Sequence, residues 1–300
     1  VTAPRGRDDR PLHGVAMAVL GFACFGVTDA LAKHALASMP TAQMLALRSV
    51  VVLVFMLPWI LRAGGLAVLR TRQPRAHAIR IACSLASMFC FFEALRHLEL
   101  ATAIALGFVA PLMMTALSVP LLGERVGIHR WSAIAVGFAG ALIILRPGPE
   151  GIQPAALLCL AAALFWAISM VYARRLSRED PEITLILFQT LAILAVMGAL
   201  TPVVWRPIGV GGWGVVVLMA VAILAGQWCI FRAFRFAQIG LVAPFQYSEL
   251  LWATLFGWIV WAEFPDMPVW VGAAILVASG LYVIWRERVR ARQTAAASSG

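Results

Sequence analysis

Five ionisable side chains interrupt stretches that are otherwise apolar: Asp29, Lys33, Arg48, Glu93 and Glu249. A charge in hydrocarbon is costly, so each needs a partner or a task. Asp29 and Lys33 stand four residues apart and can pair along one helix face. Together with Arg48 and Glu93 they sum to zero charge. They read either as one network locking three helices or as an outer gate that breaks and re-forms. Glu249 differs, because no basic residue on its own stretch can reach it. Gln246 shares its face one turn away, Tyr247 is adjacent, and Pro244 frees a backbone carbonyl. A carboxylate, an amide and irregular backbone deep in an apolar segment suit the binding of a small polar molecule. The plainer alternative is a protonated Glu bonded to a neighbouring helix.

Gln227 and Gln189 could line a cavity or bond one helix to the next. Phe25, Phe89, Phe92, Trp166, Trp228, Tyr247 and Trp252 fall within apolar stretches and could wall a pocket for an aromatic or amphipathic ligand. Packing is the plainer reading for each. Trp59, Trp261, Trp270 and Trp285 lie at the ends of stretches, where aromatic rings anchor at the membrane surface.

The elements that must position these residues are apolar helices. The 300 residues are 62% hydrophobic and 13% charged, with a mean hydropathy of +0.89. Soluble domains carry about 25% charged residues, so this is the composition of a membrane protein. Ten runs are long enough to span: Gly14–Leu36, Thr41–Leu61, Ala78–Leu95, Ala101–Leu122, Ile128–Leu145, Pro154–Ala173, Ile183–Val204, Gly214–Phe234, Ile239–Trp261 and Val269–Trp285. With no water to bond the backbone they must be helices. The first reads as a retained helix and not as a signal peptide. The terminal Ala-Ala-Ala-Ser-Ser-Gly reads as a disordered tail.

The net charge of +10 could suggest nucleic acid, but the basic residues cluster between the apolar runs. With the N-terminus inside, nineteen of the 24 Lys and Arg fall on the cytoplasmic side and three outside, which places both termini in the cytoplasm. Asp29 and Arg48 then lie ~10 Å below the outer helix ends, and Lys33 and Glu93 within ~5 Å of them. The five cysteines, Cys24, Cys83, Cys90, Cys159 and Cys229, have no metal spacing and imply no disulfide framework.

The halves are alike. Setting Glu124 on Glu263 also brings Ala94 onto Ala233, Arg96 onto Arg235, Leu112 onto Leu251, Thr115 onto Thr254 and Trp131 onto Trp270. Val109-Ala110-Pro111 and Val242-Ala243-Pro244 match only in a shifted register, so the prolines are not equivalent in that alignment. Five helices per repeat is odd, so the second repeat is inverted, as in many secondary transporters. Small residues spaced by four, Ala133, Gly137 and Ala141 in one run and Ala274 and Ala278 in another, predict close helix contact.

These residues carry a resemblance. Lys33 and Arg48, Ala94-Leu95, the ends Leu122-Gly123-Glu124 and Ala262-Glu263, the Trp131–Gly140 stretch, and Ala243-Pro-Phe-Gln-Tyr-Ser-Glu-Leu-Leu-Trp-Ala together resemble the drug/metabolite transporter superfamily, EamA type. The resemblance extends to its YddG-like amino acid exporters. Glu93 departs from the commonest pattern, which has an aromatic residue there. The resemblance implies an all-α integral membrane protein with ten transmembrane helices, arranged as two inverted five-helix repeats around a central cavity. It also implies a small-metabolite substrate.

The resulting expectations are a cytoplasmic tail (1–13), a first repeat (14–146), a second, inverted repeat (154–286) and a cytoplasmic tail (287–300). The chain is expected in the inner membrane, as a monomer or weak homodimer, with no cofactor, metal or nucleic acid. Hydrolase and nucleotide-binding motifs are absent, which argues against an enzyme. The function expected is export of amino acids, aromatic ones first, by alternating access. The alternative is uptake of a cationic or heterocyclic metabolite such as S-adenosylmethionine or riboflavin. The candidate cavity residues are Glu249, Gln246, Tyr247, Gln227, Trp166, Phe25 and Phe89.

Overall fold

The computed structural model describes the backbone of residues 11–297 apart from 64, 66–68, 70, 72, 124–126, 147–152, 178 and 237–238. The side chains of 11, 122, 182, 234, 235, 239, 240, 287, 288 and 290–297 are also not described. The N-terminal tail to residue 10, Glu124, the Pro-Gly-rich break after Arg146 and residues 298–300 therefore lie outside the described residues. So do several arginines of the orientation count.

The chain is all-helical. The helices are α1 (Pro11–Leu36), α2 (Thr41–Arg62), α3 (Pro74–Leu95), α4 (Leu100–Gly107), α5 (Ala110–Leu122), α6 (Ile128–Leu145), α7 (Pro154–Leu176), α8 (Glu182–Val204), α9 (Val210–Phe236), α10 (Ile239–Val242), α11 (Ser248–Trp261) and α12 (Met267–Ala297). Among the described residues nine segments are long and apolar enough to cross a membrane, α4 and α5 together forming one of them. The tenth crossing is α10, a 3₁₀ turn over Ala243–Tyr247, and α11.

Local chemistry sets several boundaries. Pro74, Pro111 and Pro154 each stand in the first turn of a helix, where the missing N–H is not needed. Pro74 thus starts α3 four residues before the Ala78 expected from the apolar run. Gly123, at φ 69°, closes α5 with a left-handed cap. α12 continues to Ala297, beyond Trp285, because its Arg-, Gln- and Ala-rich end favours helix. This corrects the expectation of an unstructured Ala-rich end up to that residue.

The two Val-Ala-Pro motifs both fall at breaks, between α4 and α5 and between α10 and α11. In each the chain leaves regular α-helix just before or around the proline, which cannot donate to the preceding turn. Both prolines thus stand at a break in the helical path of their half, although the side-by-side alignment of the halves sets them apart.

Helix pairing shows the two-fold relation of the halves. α1 packs on α9 and α11, and the inverted counterparts α7 on α3 and on α5. α2 meets its counterpart α8, and α6 meets α12. At the α6–α12 crossing a Cβ on Gly272 would sit 2.5 Å from the Gly140 carbonyl oxygen, so backbone touches backbone. On α6 Gly137, beside Ser279, and Gly140 face this contact, and Ala133 and Ala141 are buried. On α12 the buried stripe is Gly272, Ala273, Leu276 and Ser279, whereas Ala274 and Ala278 are exposed, contrary to expectation. The close contact is within the monomer.

Candidate functional site

The helices enclose a central cavity of about 570 Å³, within the ~300–1,000 Å³ typical of small-molecule sites. Its walls come from α1, α2, α3, the α4–α5 break, α7, α8, α9 and the α10–α11 break. Aromatic faces are supplied by Phe22, Phe25, Phe91, Phe92, Phe108 and Trp166. Gly226 lets the Phe25 ring pack on α9, since a Cβ there would lie 2.6 Å from the ring.

Three charged residues line the cavity: Asp29, Arg48 and Glu249. Asp29 lies within electrostatic range of both Arg48 and Glu249. None of the three makes a hydrogen bond or ion pair to another described residue, although the Arg48 guanidinium stands 5.8 Å from the Phe92 ring centre. Asp29 thus has both a guanidinium and a second carboxyl group as neighbours, and all three groups line the cavity, where a ligand can reach them. Gln227, Gln246 and Gln189 add amides to the wall.

The placement of the expected residues is mixed. Glu249, Gln246, Gln227, Trp166 and Phe25 face the cavity. Tyr247 does not. It is buried, its ring stacked edge-on with Phe108 at 5.0 Å and its hydroxyl against Gly280 of α12. At two residues from Glu249 it points to the far side of the segment, since residues two apart on a helical turn do not share a face. The α10–α11 break puts Glu249 in the first turn of α11 and not in mid-helix. Phe89 is 44% exposed on the outside of α3, and Phe91 and Phe92 take the wall position.

The outer charges do not meet as one network. Lys33 bonds Glu263 at the end of α11, with Nζ 2.7 Å from Oε1, and donates to the Leu98 carbonyl at 3.0 Å. It also lies over the Trp261 ring. Glu93 accepts from Thr41 and pairs with Arg96 at 3.3 Å. Arg96 reaches on to the carbonyls of Leu36 and Met39. Asp29 and Arg48 belong to the cavity. Lys33 thus takes its partner from another helix, whereas Glu93 pairs with the cap residue of its own. The buried Gln43 also exchanges two hydrogen bonds with the backbone of Arg206, tying α2 to the α8–α9 link.

At the opposite end, where α1 starts, a second cluster was not anticipated. Asp180 accepts from Thr71 at 2.7 Å and lies 2.8 Å from His77 Nε2. Burial alone would raise the Asp180 carboxyl, but the bonds from His77 and Thr71 and the His77 charge outweigh it and hold it below its ordinary range. Arg80 is buried in α3 and not placed in a loop. It donates to the Leu185 carbonyl and to Gln189 Oε1, and Gln189 donates to Ser84. Gln189 therefore serves both as cavity wall and as an interhelical bond. Asp180 stands just before one apolar run and Arg80 third in another, where the sequence marks them only as ordinary boundary charges.

A helical bundle around a cavity of this size suits a membrane transporter. Two copies of the EamA-like transporter family model match the chain, over residues 12–146 and 153–286, and the chain belongs to that family, a multi-pass membrane transporter family. It is 29% identical over 287 residues to a riboflavin transporter of Vibrio cholerae serotype O1, covering 94% of this chain and 96% of that protein. It is 29% identical over 273 residues to the pseudopaline exporter CntI of Pseudomonas aeruginosa, covering 89% and 94%. It is 22% identical over 285 residues to the S-adenosylmethionine uptake transporter of Rickettsia prowazekii, covering 92% and 94%. A solved crystal structure superposes with a TM-score of 0.61 at 22% identity, covering 91% of this chain and 98% of that one, which supports the fold.

Proposed function

We propose that the chain is a secondary transporter that carries a heterocyclic or cationic metabolite, of the class of riboflavin or S-adenosylmethionine, across the inner membrane by alternating access. Both termini lie in the cytoplasm, and the two repeats, 14–146 and 154–286, rock about the cavity. The observation that carries this reading is the cavity itself. Aromatic walls can stack a planar ring, and two carboxyl groups, Asp29 and Glu249, stand in the wall against one guanidinium, Arg48. A surplus carboxylate in a low-dielectric wall favours a cationic group or a coupling proton.

Amino acid export, the first expectation from the sequence, takes second place. The relatives described above are named for riboflavin, pseudopaline and S-adenosylmethionine, and none of them for an amino acid. The test is a substrate panel in proteoliposomes: riboflavin, S-adenosylmethionine, phenylalanine and tryptophan. The expected result is saturable flux of a heterocyclic substrate that is stimulated by the same compound on the opposite side. Flux of tryptophan or phenylalanine alone would restore the amino acid reading. Glu249→Gln is expected to lower substrate affinity at every pH if the carboxylate meets a cation, and to remove only the pH dependence if it carries a proton. Wild-type affinity, rate and pH profile would leave Glu249 a structural role.

A further inference from the structure

A second concavity lies on the flank of the bundle, at the end where α1 starts and apart from the central cavity. It holds about 440 Å³ and is lined by Gln73, Pro74, Arg75, Ala76, Ile79, Tyr172 and Arg175. α3 contributes Arg75 in its first turn, and α7 contributes Arg175 in its last turn and Tyr172 just before it. Both arginines are exposed, and neither makes an ion pair with a described carboxylate. The buried acid of this end, Asp180, is already held by His77 and Thr71.

Arg75 is in an unfavourable place for a lone cation. The first turn of a helix carries the positive end of the dipole, where anions are stabilised and cations are not. Arg175 and the Tyr172 phenol face the same groove from the neighbouring helix. Two guanidiniums can fork onto phosphate oxygens, and a phenol can donate a third bond. One turn deeper the groove passes onto Ile79, which is 43% exposed on the outer surface of the membrane-spanning bundle. The Tyr172 ring is itself packed against Ala76 and Leu176. A polar anion site that runs directly into an exposed apolar helix face has the two-part character of a lipid, with headgroup above and acyl chain below.

We propose that this groove between α3 and α7 binds the phosphate headgroup of an anionic phospholipid, with Arg75 and Arg175 as its charge partners and Ile79 against the acyl chain. Basic pockets between membrane helices bind such headgroups by the same electrostatics. The site leaves the central cavity untouched, so it stands whatever substrate the carrier moves.

The test uses the full chain, purified and exchanged into mixed micelles with phosphatidylglycerol or phosphatidylcholine, with retained lipid counted by native mass spectrometry. Phosphatidylglycerol is expected to be retained over phosphatidylcholine. The double variant Arg75→Gln, Arg175→Gln should lose that preference by about twenty-five-fold, at about fivefold for each guanidinium. Arg75→Lys with Arg175→Lys, which keeps the charge, should recover most of it and confirms that the fold is not the cause. Equal retention of the two lipids, or equal retention by wild type and the Gln variant, would overturn the proposal. Displacement of the lipid by inorganic phosphate alone would also overturn it, because it would define a site for a soluble anion.

Discussion

The Lys33–Glu263 pair permits a quantitative test of how the far end of the bundle is held. The perturbation is Lys33→Met, which keeps the length of the stem and removes the charge. Nζ lies 2.7 Å and 2.5 Å from the two Glu263 oxygens, with 10% of the Lys33 side chain and 27% of the Glu263 side chain exposed. Breaking a fully buried pair costs about 3–5 kcal/mol, and breaking an exposed one about 0.2–1 kcal/mol. This pair lies between those limits. The variant also strips the Leu98 carbonyl of a donor and leaves Glu263 only a 3.4 Å contact from the Leu100 N–H. A loss of about 1–3 kcal/mol follows. The assay is a double-mutant cycle with Glu263→Gln, read by denaturant unfolding in detergent. The coupling energy should be about 1–3 kcal/mol, because each single change already removes the interaction. A parallel cycle with Asp29→Asn should give no more than the ~0.5 kcal/mol of an i,i+4 pair on one helix. Additive Lys33 and Glu263 penalties, or a Lys33–Asp29 coupling as large as the Lys33–Glu263 one, would refute the pairing.

Three further predictions follow from the packing. Gly272→Leu should destabilise by about 1–3 kcal/mol through overpacking against the Gly140 carbonyl, whereas Ala274→Leu, on the exposed face of α12, should be nearly neutral; thermal unfolding of the two variants checks this. Asp180 is held below its ordinary range, so its contribution to stability is fully present above the unfolded pKa of about 3.9 and is lost only as pH falls through the lower folded value. Stability measured across the acid range should therefore fall less steeply above pH ~4 in wild type than below it, and Asp180→Asn should remove that acid-side slope. Gln189→Met should cost about 1–3 kcal/mol by leaving Arg80 with the Leu185 carbonyl and Ser84 without a donor, and an unchanged melting temperature would show that the Arg80–Gln189 bond contributes nothing.

The amino-acid order by itself determined the ten apolar segments, their sequence repeat and the identity of the ions inside them. Those properties follow from local composition, since each segment must satisfy its own backbone in the bilayer. Asp29, Arg48 and Glu249 were recognisable as unusual before any helix was placed, because an ionisable group in an apolar run is rare whatever surrounds it. Partner choice was not legible. Lys33 has an acid one turn away on its own helix yet takes Glu263, 230 residues later, because the ends of α1 and α11 come together. Facing was not legible either. Phe89 and Phe91 lie in equally apolar surroundings, yet Phe91 lines the cavity and Phe89 is exposed, and Tyr247 is buried away from the cavity that Gln246 lines. In a soluble helix the polar stripe would have marked the outside. Here lipid and helix interface are equally apolar, so the side of a helix that meets the cavity is decided only when all ten crossings pack.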